Sequence, residues 1–91
     1  MALWYLSFAT ESQCLGGCFV ESESMHRALL KTHRLKINPA SHTPPTECSV
    51  MCYEVREADK VLPIVKSSMD RLLTKDEVMA LDRQFAAQHA N

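Results

Sequence analysis

The chain has no excess charge of either sign: 10 Lys and Arg stand against 11 Asp and Glu, a formal net charge of −1. That balance excludes a whole-molecule electrostatic role such as coating nucleic acid or mimicking it. Glycine is nearly missing, with 2 residues in 91, and both lie side by side at Gly16 and Gly17. No apolar run approaches the roughly 20 residues of a membrane-spanning helix. The short apolar start has no basic residue before it and runs into Glu11 rather than a small-residue cleavage site. That pattern is not a secretory signal, and the expected location is cytoplasmic, with no membrane partner. The Gly-x-Ser-x-Gly, P-loop, dinucleotide, His-Glu-x-x-His and EF-hand patterns are all absent, so no enzyme activity, cofactor or metal is expected. There is no internal repeat.

What is present is the mixture of a globular protein, 46% hydrophobic and 23% charged. The length allows one domain, 1–91. A chain of this size buries about 60–65% of its unfolded surface, which leaves a marginal core.

Residues 2–9 read as a strand with Trp4, Leu6 and Phe8 on one face and Leu3, Tyr5 and Ser7 on the other. Both faces are largely apolar, which places it at the centre of a sheet. Thr10–Gln13 is a polar break of hairpin length. Residues 14–21 form a second strand, in which the glycine pair marks a bulge or a close backbone approach. Ser22-Glu23-Ser24 opens a helix whose stripe is Met25, Ala28, Leu29, Thr32 and Leu35, and Asn38-Pro39 ends it. A loop with three prolines leads to a third strand, 48–55, with Cys48, Val50 and Cys52 on one face and Met51, Tyr53 and Val55 on the other. From Asp59 the period is helical: Val61, Val65, Met69, Leu72 and Leu73 form one stripe, with Pro63 in the first turn. Thr74-Lys75-Asp76-Glu77 is a capping box for a last helix carrying Val78, Leu81 and Phe85.

The implied class is α+β: a three-stranded sheet built as a split β-α-β, order 2-1-3, with a C-terminal helical hairpin, ββαβαα. If the C-terminal helices share a sheet face with the first helix, the other face is a bare apolar patch. Such a patch, together with the short chain, points to a homodimer or higher oligomer.

Cys14, Cys18, Cys48 and Cys52 form two Cys-x-x-x-Cys pairs. Within a strand the members of a pair lie roughly 13 Å apart, too far to share a metal. Cross-strand pairing stays open if the two strands are neighbours. In a reducing compartment the expected role is that of free, small, buried hydrophobes.

Charge is uneven along the chain. Residues 25–46 hold Arg27, Lys31, Arg34 and Lys36, three of the four histidines and no acid, between two acidic flanks. Arg27, Lys31 and Arg34 share a helix face. They form either a solvated outer surface or a cradle for a small anion such as a nucleotide, or for an acidic protein surface. Asn38, His42 and Glu47 in the loop could complete that site, and Gly16 and Gly17 could admit a ligand or another chain to the strand backbone. The 59–88 helical pair lacks a basic recognition face, so nucleic acid is not an expected partner.

Gly16-Gly17-Cys18-Phe19-Val20, the helix after it, Leu35-Lys36-Ile37-Asn38-Pro39 and Glu47 ahead of a strand resemble short uncharacterised proteins of bacteria and phages. In those a glycine-containing strand leads to a helix ending in Asn-Pro, then Gly-Gly-Glu-Val and another strand. The likeness covers about residues 15–50, with Ala40–Pro45 standing where the glycines would be. It implies a strand–helix–strand unit and no activity.

The leading expectation is a non-catalytic binding protein working as a homo-oligomer, which sequesters a small anionic ligand or inhibits a protein partner. The alternatives are a structural or interaction subunit using an apolar sheet face, and a small enzyme using a Cys–His pair.

Overall fold

The hairpin, the central helix and the returning strand all form in the computed structural model. It describes residues 1–60 and 62–89, with side chains described as far as Gln84. Strands β1 (Ala2–Ala9), β2 (Cys14–Ser22) and β3 (Ser49–Glu54) make one sheet in the order β2-β1-β3. Both neighbours run antiparallel to β1. The fold is α+β, with the doubly apolar strand at the centre as its pattern requires.

The hairpin turn closes on Thr10, whose N–H donates to the Gln13 carbonyl at 2.9 Å and whose hydroxyl accepts the Gln13 N–H at 3.2 Å. Beyond it the β1–β2 register slips by one residue: Phe8 faces Gly16, yet Ala9 faces Cys14. Gly16, at φ 123°, makes this bulge in a conformation other residues rarely adopt. The slip reverses the side-chain alternation, so Cys14 packs on one face of the sheet and Cys18 on the other.

Helix α1 (Met25–Arg34) starts at Ser24, whose hydroxyl accepts the Arg27 N–H at 3.2 Å. Ala28 and Thr32 are its buried residues, and Leu29 is half-buried against the same cluster. The expected stripe is therefore narrower than drawn. Met25 sits in the first turn and Leu35 is the C-cap; both are exposed, and Ile37 packs in their place.

The segment read as one helix from Asp59 is broken. A 3-10 turn (Glu57–Asp59) and a one-turn helix α2 (Pro63–Lys66) precede a segment that runs beside β2. Gly17 and Leu73 exchange both backbone hydrogen bonds, N–H to O at 3.3 and 2.6 Å, and the Asp70 N–H donates to the Phe19 carbonyl at 2.9 Å. Helix α2 ends at Lys66, and Asp70, at a left-handed φ of 56°, turns the chain between its contacts with Phe19 and Gly17. As in any extended stretch, consecutive residues point oppositely: Leu72 joins one apolar cluster and Leu73 the other. Val61 and the Phe85 side chain, both part of the expected stripes, lie outside the described residues.

Helix α3 (Lys75–His89) follows. α1 covers the face carrying Leu6, Phe8, Cys18 and Val20. Val65, Leu73, Val78 and Leu81 cover the opposite face, carrying Leu3, Tyr5 and Phe19. The bare sheet face considered from sequence therefore does not arise over β1 and β2.

Candidate functional site

Arg27, Lys31 and Arg34 do project together. They line an open groove of about 330 Å³ with Met1, Glu21, Glu23 and Leu30. Its charges are partly answered from within. Arg27 lies 3.7 Å from Glu23, and Lys31 lies 3.7 Å from Asp70 while donating to the Glu21 carbonyl at 3.1 Å.

The other residues expected at an anion site are elsewhere. Asn38 is 1% exposed. Its amide donates to the Thr32 hydroxyl at 3.2 Å, and its carbonyl oxygen accepts the Ala40 N–H at 2.9 Å. Both bonds fasten the chain after α1. His42 stands 3.0 Å from the Lys36 carbonyl, which stabilises the same corner. Glu47 lies with Ala9, Thr10, Glu11, Cys48 and Ser49 around a different depression. The openings over Gly16 and Gly17 are taken by the chain itself. A Cβ on Gly16 would collide with the Leu73 carbonyl, and one on Gly17 would come 2.7 Å from the Tyr5 hydroxyl. Lysine, arginine, asparagine and glycine thus divide between a surface groove and the internal frame.

All four cysteines are free. β1 lies between β2 and β3, so no cross-strand disulfide joins Cys18 to Cys52. Cys18 is fully buried and its thiol is pushed up to about 12, first by burial and then by Cys52 and Asp70. Cys14, Cys48 and Cys52 are half-buried rather than fully internal. Burial raises the Cys52 thiol as well. Among the described residues no cluster of His, Cys, Asp or Glu is placed to hold a metal, and no helix is long and apolar enough to cross a membrane.

The feature that sequence reading missed is the outer edge of β3. The edge of β2 is occupied by residues 69–73, whereas no strand of the described residues pairs with the far side of β3. Its apolar side chains are open on both faces: Val50 is 38% exposed, Met51 59% and Tyr53 39%. Tyr53 leans on Tyr5, with ring centroids 5.4 Å apart. Burial, helped by Asp82 and Asp59, lifts its phenol above the ordinary value. An exposed edge with apolar side chains is a template for another strand. The signal in the sequence is the apolar character of both faces of this strand, which reads equally well as a central position.

No family model, no curated protein and no solved structure matches the chain.

Proposed function

We propose that the protein is a non-catalytic, cytoplasmic binding subunit that associates through the free edge of β3 and works as a homo-oligomer. The observation that carries this reading is the unpaired β3 edge with Val50, Met51 and Tyr53 exposed. Edges of this kind are normally blunted by charge, proline or a covering segment. Here β2 has its cover, and Ser49–Glu54 has one charged residue, Glu54. Light scattering over a concentration series tests it. The expected result is an oligomer whose association weakens at least about tenfold in Met51→Lys, since a charge on an edge strand opposes pairing. A monomer, or an oligomer indifferent to Met51→Lys, removes the reading.

The groove under Arg27, Lys31 and Arg34 supports a second reading, sequestration of a small anion. Titration with ADP tests it: heat of binding at micromolar protein that Arg34→Ala abolishes supports it, and no heat removes it.

A further inference from the structure

The hydrogen-bond phase of β3 limits how its edge can be extended. The Val55 N–H donates inward to the Leu3 carbonyl at 2.8 Å. In an antiparallel ladder residues alternate between bonded and non-bonded positions. Val55 and Tyr53 therefore spend their backbone groups on β1, and Val50, Cys52 and Glu54 turn theirs outward.

Resting on the reading that the β3 edge is the working surface, we propose that its occupant is β3 of a second copy. The two strands would run antiparallel about a two-fold axis through Cys52. A two-fold axis must set outward-facing residues against outward-facing residues. Centred on Cys52, it places Val50 against Glu54 of the second copy, and Met51 against Tyr53. Each exposed thioether then lies on an exposed aromatic ring, a favourable pairing. Both exposed apolar residues on that face of the strand are covered at once.

Charge disfavours an axis on Glu54 and side-chain pairing an axis on Met51. An axis on Glu54 would oppose two carboxylates directly, which is destabilising across a strand pair. An axis on Met51 would leave Tyr53 facing Ser49. With the axis on Cys52, the strand's one charged residue, Glu54, stands opposite the uncharged Val50 of the second copy. Past the strand ends the same register would bring Glu57 towards Glu47 of the second copy, and Glu57 is paired with its own Lys60 at 2.7 Å.

The test uses the intact chain at a concentration where light scattering reports the dimer. The two Cys52 Cα atoms would stand about 5.5 Å apart, within the span of a disulfide. Mild oxidation with diamide followed by peptide mass mapping is expected to give a Cys52–Cys52 cross-link, absent from Cys52→Ser. Amide exchange is the second measurement. The Val50, Cys52 and Glu54 amides should exchange at least about tenfold slower in the dimer than in Met51→Lys. A dimer that keeps this protection but cross-links through Cys14 or Cys48 overturns the Cys52 axis and leaves association through β3 standing, whereas a dimer without the protection overturns pairing through the β3 edge as well. A monomer overturns both.

Discussion

Asn38 illustrates how one residue can read as a ligand group and act as a fastener. In sequence it stands beside a basic helix, before a proline. In the structure its side chain holds Thr32 on one side and the Ala40 N–H on the other, fully inside. Replacing it by alanine leaves Ala40 without its acceptor and Thr32 without its donor. Asn38→Ala is expected to lower stability by about 1–3 kcal/mol, measured as the shift in a urea unfolding curve. The cue available beforehand was its position ahead of Pro39-Ala40, where asparagine caps a short helical turn. Gly16 was legible in a different way. A glycine pair inside a strand signals a bulge or a close approach, and both occur. That the approaching group is the Leu73 carbonyl could not be read, because the partner lies more than fifty positions away along the chain.

At the scale of elements, the capping box before α3 forms as its residue spacing implies. The Glu77 N–H donates to the Thr74 hydroxyl at 3.2 Å, and the Glu77 carboxylate accepts the Thr74 N–H at 3.0 Å. Arg71 adds a two-pronged contact to the same carboxylate, at 2.7 and 3.2 Å. With Arg71 the first cause and the Thr74 N–H the next, the Glu77 carboxyl is held down at about 2, against an ordinary 4.5. A carboxyl depressed by folding contributes stability above its unfolded value and loses it on acidification. The contribution of Glu77 is therefore complete above pH 4.5 and fades as the pH falls towards about 2. Glu77→Gln should flatten this part of the stability–pH profile, followed by thermal unfolding across that range. The Arg71 clamp was hidden because the helical period of Val65, Met69 and Leu72 suggests one continuous helix. Those residues do reach the apolar clusters, but from a chain that leaves the helix after Lys66. Hydrophobic spacing marks which residues go inside; it does not distinguish a helix from a segment bonded along a sheet edge.

For the whole molecule, the central place of β1 followed from its two apolar faces, both of which are covered, although β3, apolar on both faces as well, lies at the edge. Where the C-terminal elements dock was not encoded in their pattern. A helical stripe specifies an apolar partner and not which side of the sheet supplies it. By covering the face opposite α1, they move the argument for association from a sheet face to the β3 edge. The exposed Val50, Met51 and Tyr53 are the part of the apolar surplus that gathers on one strand, while Met25, Leu30, Leu35 and Met79 are exposed on helices and their ends.

The strap of residues 69–73 has a consequence for stoichiometry. A sheet with two open edges can recruit copies at both ends and propagate into a fibre. Here the chain's own Leu73 holds the Gly17 backbone, so one end of the sheet is terminated from within. Symmetric pairing at β3 uses up the edge that is left on each copy. Such an assembly would be complete at two copies, because among the described residues one sheet edge is bridged by residues 69–73 and the other would be spent on the partner.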